Sequence, residues 1–172
     1  MQSFLKYLSP AFSWNTFYNT VPPAATVLTT QIASVNSVYV FLSFFENLTS
    51  STGGGAIRIA ASDDNVQVLI EQSLFHICYS TANTDGGAIS FPNSRGEFVL
   101  HMVCGFRCYT LTTAERYGQF SSSICRSANN FQNSAILCSV SQCGSLIGAN
   151  FATMYSEMRR GPLRANNGNL TI

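Results

Sequence analysis

The chain has 172 residues, 46% of them hydrophobic and only 10% charged, with a formal net charge of +1. That length supports one core, and with so few charges the polar surface must come from Ser, Thr, Asn and Gln, a composition suited to strands and tight turns. A charge so near zero supplies no basic field, so neither nucleic acid nor an anionic bilayer is expected as a partner.

Residues 1–35 are aromatic-rich, carry Pro22 and Pro23 and show no repeat, and are predicted to be an irregular segment or cap. The first fifteen residues hold Lys6 and scattered aromatics but no unbroken apolar stretch and no small-residue cleavage site, so no signal peptide is expected. The longest apolar run, Val38 to Phe45, is interrupted by Ser43 and is too short to span a bilayer.

From residue 36 the chain repeats itself. GGAI occurs at Gly54 to Ile57 and again at Gly86 to Ile89, and residues 54–71 lie over 86–103 without a gap. In that alignment Val66, Val68 and Ile70 fall over Phe98, Leu100 and Met102, while Gln67, Leu69 and Glu71 fall over Val99, His101 and Val103. Alternation of period two that stays in phase through one repeat is what stacked strands need, because each must point the same residues inward as its neighbour. Upstream, SFFENLTS from Ser43 falls over SLFHICYS from Ser73 with a shift of 30, bringing Phe45 over Phe75, Leu48 over Cys78 and, one repeat on, Cys78 over Cys108.

The expected fold is therefore all-β, a right-handed single-stranded parallel β-helix (solenoid) spanning residues 36–172 with about three to five coils. Regular coils are predicted at 36–53, 54–85 and 86–116, with irregular ones over 117–172 and a short helix from Phe151 to Arg159, ended by Gly161 and Pro162. One coil cannot stand alone, since ordering each residue costs about 1 to 2 kcal/mol and the few inward side chains return only about 1.5 to 3 kcal/mol each. Stacking closes that gap and leaves coil ends through which copies can self-associate.

GGAI together with FxxN, which reads Phe44 to Asn47, resembles the repeat signature of chlamydial polymorphic membrane proteins. GGAI followed by a strand, VCGFRCYT and YGQF is similar to the large β-helix repeat proteins of trichomonad protists, a resemblance that covers roughly residues 36–125. It implies an adhesin-like protein, extracellular or at the cell surface, that contacts carbohydrate or a host surface. FxxN occurs once, the equivalent position in the next coil being Ile77 or Cys78.

Candidate sites read mostly as structure. Gly54, Gly55, Gly86 and Gly87 each enter a strand, so they are predicted to make tight corners instead of a phosphate loop. Asp63 with Asp64 and the Asn83-Thr84-Asp85 triplet have the residue types of a polygalacturonase, which would make the chain a polysaccharide-active enzyme. The two elements stand in the reverse order, however, and no His-Gly or Arg-Ile-Lys element follows. A pectate-lyase-like calcium cage is hard to build from eight acids, with Lys6, Arg58, Arg95 and Arg107 as the basic candidates. No catalytic residue, cofactor or metal is assigned, and a non-functional fragment of a longer gene is the third reading after a binding protein and an enzyme.

His76 and His101 lie at different places in their coils and are expected at the surface, His101 pointing outward. Cys78 and Cys125 stand alone, and the other spacings do not make a zinc ribbon. Leu48, Cys78 and Cys108 form a column whose thiols are expected to pack reduced, while Cys104 with Cys108, or Cys138 with Cys143, are candidate disulfides. Asn47-Leu48-Thr49 and Asn169-Leu170-Thr171 fit the glycosylation sequon and are sites conditional on export.

Overall fold

In the computed structural model the described residues are 10–21, 32–33, 37–60, 66–82, 84–92, 96–111, 120–124, 133–141, 143 and 163–166. They comprise α1 (Pro10–Tyr18), β1 (Ile32–Ala33), β2 (Ser37–Phe41), β3 (Phe44–Glu46), β4 (Thr49–Ser50), β5 (Ile57–Ala60), β6 (Gln67–Glu71), β7 (Leu74–His76) and β8 (Tyr79–Ser80). There follow β9 (Ile89–Phe91), β10 (Glu97–His101), β11 (Cys104–Phe106), β12 (Tyr109–Thr110), β13 (Ser121–Ile124), β14 (Asn133–Ile136), β15 (Ser139–Ser141) and β16 (Leu163–Asn166). Among the described residues the fold is all-β apart from α1, and every strand pairing is parallel.

The strands sort into four sheets, ordered β1-β5-β9-β13-β16, β2-β6-β10-β14, β3-β7-β11-β15 and β4-β8-β12. Three times among the described residues the chain visits the four sheets in the same sequence and returns one strand further along. The last passage goes from β15 in the third sheet to β16 in the first, with no described strand in the fourth. Gln67 pairs with Glu97, Phe45 with Phe75 and Tyr79 with Tyr109, all at a separation of 30, whereas Ile57 pairs with Ile89 at 32.

Two rows of corner residues set the angles between sheets. Leu42, Gln72, Met102 and Leu137 have φ of 46°, 48°, 55° and 53°, and Asn47, Ile77 and Arg107 all have φ of 53°. Left-handed backbone is unfavourable for side chains with a Cβ, by about 1–2 kcal/mol, and least so for Asn. The second row explains the lone FxxN: Asn47 occupies a left-handed corner that Ile77 and Arg107 fill at greater cost. The ladder runs on through these corners, since the N–H groups of Asn47 and Ile77 donate to the carbonyls of His76 and Phe106, each at 3.0 Å. No corner amide in that row is left for water.

Inside, Val38, Val68 and Phe98 form one column and Val40, Ile70 and Leu100 the next, with Ile57, Ile59, Ile89 and Phe91 facing them from the first sheet. Phe45 stacks on Phe75 with centroids 4.7 Å apart. The next position in that column is Gly105, and Phe120 from a different part of the chain takes the space: its ring meets Phe75 edge-on at 5.6 Å and would lie 2.7 Å from a Cβ on Gly105.

The structure corrects the expected register. Val68 lies beside Phe98, not Leu100, and Glu71 beside His101, not Val103, so the gapless alignment after GGAI is two residues out. A slip of two keeps every residue on its own face, so period-two patterning cannot detect it. The chain takes two residues fewer to pass from Ile89 to Glu97 than from Ile57 to Gln67. Met102, expected to follow Ile70 inward, is instead an exposed corner, and Val103 is buried.

The N-terminal segment is not wholly irregular either. Helix α1 opens with Pro10, which suits a first helical position. Trp14, Phe17 and Tyr18, at i, i+3 and i+4, share one face, and that face packs on Leu69 and Val99, the outward side of the second sheet. The C-terminal helix expected at 151–159 lies outside the described residues, as do Asp63, Asp64, Asn83, Arg95, Cys125 and Asn169.

Candidate functional site

The outward faces of the second and third sheets carry related side chains in different surroundings. On the second, Tyr39 donates its hydroxyl to Glu71 Oε1, and His101 Nδ1 lies 3.3 Å from Glu71 Oε2. Glu71 is fully buried and the His101 side chain 19% exposed. Helix α1 closes this cluster: Trp14 lies 5.5 Å from the Tyr39 ring, Phe17 meets His101 edge-on at 5.5 Å, and the Tyr18 hydroxyl donates to Val68 O at 2.7 Å. Burial, reinforced by the hydrogen bond to Glu71 and its charge, pushes the Tyr39 phenol far above its ordinary 10.0, so it is held as a donor. Nearby, Gln67 Nε2 donates to Glu97 Oε2 at 2.8 Å. These acids are engaged by neighbouring strands.

On the third sheet the same pairing faces solvent. His76 Nδ1 lies 2.8 Å from Glu46 Oε1, with side chains 29% and 46% exposed. His76 stacks on Phe106 at 5.6 Å, and the Arg107 guanidinium sits 5.2 Å from the Phe106 centroid. Round the next corner Tyr79 stacks on Tyr109, 4.9 Å apart with planes only 8° from parallel, and Thr49 extends the row. Both tyrosines are half-buried, whereas Ser80 and Thr110 beside them are enclosed. Alternation along each short strand produces this division, one residue to solvent and the next to the core. The Glu46–His76–Phe106 and Thr49–Tyr79–Tyr109 rows form a polar and aromatic ladder, which is the candidate binding surface. Leu42, Met102 and Leu137 at the other corner, with Phe44 and Leu74, add an exposed apolar edge.

The glycines predicted to be structural are so placed. Gly54 and Gly86 have φ of 63° and 80°, and each pair leads into a strand, β5 or β9. Gly54 N donates to Gly86 O and Gly55 N to Gly87 O, so the pairs lie side by side, and a Cβ on Gly55 would come within 2.4 Å of the Tyr79 backbone. Asn47 of the first sequon is exposed. Asp85 precedes Gly86, half-buried and engaged by another group.

The histidines are not the isolated surface groups expected, since each faces a glutamate 30 residues earlier. The signal was present, Glu46 to His76 and Glu71 to His101, but the misplaced register put His101 over Leu69 and hid it.

Among the described residues no disulfide joins Cys78, Cys104, Cys108, Cys138 or Cys143. The structure does not make the candidate disulfides: Cys104 faces solvent while Cys108 points into the core, and Cys143 is buried with Cys138 less so. Cys143 instead continues the column Leu48, Cys78, Cys108, and the Cys108 N–H donates to Cys143 Sγ at 3.2 Å. Longer spacing in that last segment concealed the equivalence, since Cys104 pairs with Ser139.

Among the described residues no cluster of three or more His, Cys, Asp or Glu is arranged to hold a metal ion, and no helix is long and apolar enough to cross a membrane. No protein-family model, curated protein or solved structure matches the chain.

Proposed function

We propose that the chain is a right-handed parallel β-helix acting as a non-enzymatic, adhesin-like binding scaffold at a cell surface, with carbohydrate as its ligand. Three features support the winding: the fixed order of sheet visits, the 30-residue parallel register and the corner rows. The hand follows from the near-universal right-handed crossover between parallel strands of one sheet.

The observation that carries the binding reading is the outward ladder Thr49–Tyr79–Tyr109 beside Glu46–His76–Phe106. It presents hydroxyls and aromatic rings at the strand separation of about 4.8 Å, a periodic surface suited to a repeating polymer. The acids Glu46, Glu71 and Glu97 are each bonded to a neighbouring strand, which favours scaffold over acid–base chemistry.

The test is binding of the full chain to immobilised neutral and uronate polysaccharides, with a reducing-sugar assay alongside. Saturable binding weakened at least about tenfold by Tyr79→Ala or Tyr109→Ala is expected. Absence of binding across the panel overturns the reading, and release of reducing ends would replace it with a polysaccharide-active enzyme.

A further inference from the structure

Beside the Glu46–His76–Phe106 row the third sheet turns a second row outward: Phe44, Leu74, Cys104 and Ser139, paired in register on successive rungs. All four are exposed, Phe44 by 58% and Leu74 by 41%, and none carries a charge. Their size falls at each rung, from ring to branched chain to thiol to hydroxyl. The corner row Leu42, Gln72, Met102 and Leu137 runs alongside, equally uncharged, with only Gln72 half-buried. An uncharged, mostly apolar strip of roughly 500 Å² is the size that marks an interaction site. A strip that tapers fits a copy of itself only when the copy is reversed. Run the same way, Phe44 meets Phe44 and Ser139 meets Ser139, which crowds one end and leaves a gap at the other. Turned end for end, Phe44 meets Ser139 and Leu74 meets Cys104, so large faces small at every rung. Rungs are about 4.8 Å apart in both copies, and the match holds along the whole strip.

We infer that the Phe44–Leu74–Cys104–Ser139 row is the contact face of a two-fold symmetric homodimer whose strand stacks run in opposite directions. The contact is isologous, the same patch from each copy, and it closes on itself at two chains. A two-fold axis lying in the contact plane keeps each row opposite its own copy. The corner row then forms one wet rim, and Glu46, His76 and Phe106 form the other. Across the pair about 1,000 Å² is withdrawn from water, the low end for a specific interface, so association is expected at about 10–100 μM chain. Both Tyr79–Tyr109 stacks open on the same side of the pair. A polymer held by the proposed binding surface is then gripped twice, a consequence that rests on that function while the dimer itself does not.

The experiment follows the molar mass of the full chain by sedimentation equilibrium over a dilution series starting above about 100 μM. A reversible monomer–dimer equilibrium is expected. Leu74→Lys places a charge in the middle of the strip and should weaken it more than about tenfold, with circular dichroism unchanged because the site is exposed in the single chain. Ser139→Phe should weaken it about tenfold by setting two rings against each other at both ends of the strip. Adding Phe44→Ser reverses the taper and should restore the affinity, a rescue that mere loss of apolar surface cannot give. A short bismaleimide should join two copies through Cys104, and Cys104→Ser should abolish the product. A monomer at every concentration, which would leave the strip to a different partner, overturns the assignment. So does a dimer indifferent to Leu74→Lys, a double variant no tighter than Ser139→Phe alone, or a cross-link that survives Cys104→Ser.

Discussion

Glu46–His76 and Glu71–His101 are the same pair in the same register on adjoining sheets, yet helix α1 makes them chemically different. The first stands open, side chains 46% and 29% exposed, where water competes and an ion pair contributes little. The second lies under Trp14, Phe17 and Tyr18, with Glu71 stripped of solvent and dependent on Tyr39 and His101 for its hydrogen bonds. Identical strand geometry therefore yields a surface latch in one place and a buried network in the other, the added parts being the Tyr39 hydroxyl and nine residues of helix.

The comparison can be broken by removing the cover. Trp14→Ala deletes the enclosed ring that touches Tyr18 and Tyr39 and should cost about 3–5 kcal/mol in urea unfolding. Hydrogen exchange in β6 should rise with it, and unchanged exchange there would show that α1 does not shield the sheet. It can be sharpened at the carboxylate: Glu71→Gln leaves the Tyr39 and His101 donors competing for one neutral acceptor and should cost about 1–3 kcal/mol. Corner strain comes next. Leu137, 72% exposed at φ 53°, gains nothing from burial, so Leu137→Asn should stabilise by about 1 kcal/mol, seen as a higher unfolding midpoint. Smallest is Glu46→Gln, which should change stability by no more than about 0.5 kcal/mol, the change fading as salt is added. Equal costs for Glu46→Gln and Glu71→Gln would dissolve the distinction between the faces.

Much of this was legible in the sequence, and the losses have physical causes. Parallel pairing, and the face that Val68 and Ile70 turn inward, followed from alternation that keeps phase, and the glycine pairs lead into β5 and β9. The exact neighbour across each ladder was not legible after GGAI, because a slip of two residues, which moves Glu71 from beside His101 to beside Val103, leaves the alternation of Val66, Val68 and Ile70 with Gln67, Leu69 and Glu71 in phase. Helix α1 escaped because its apolar residues, Trp14, Phe17 and Tyr18, read equally as scattered aromatics until a surface exists for them to cover. Cys143 escaped because the last segment is longer, and its place in the column appears only once Cys104 is seen beside Ser139.

The left-handed corners also divide the molecule into a side that tolerates editing and one that does not. Between the second and third sheets a single residue makes each bend, and Phe41, Glu71, His101 and Ile136 all stand three positions before the next strand. On the opposite side the number of residues carrying the chain from the first sheet to the second differs at each passage. A tag or grafted peptide therefore belongs in the variable passages, while one extra residue at Leu42 or Asn47 would throw every following side chain onto the wrong face.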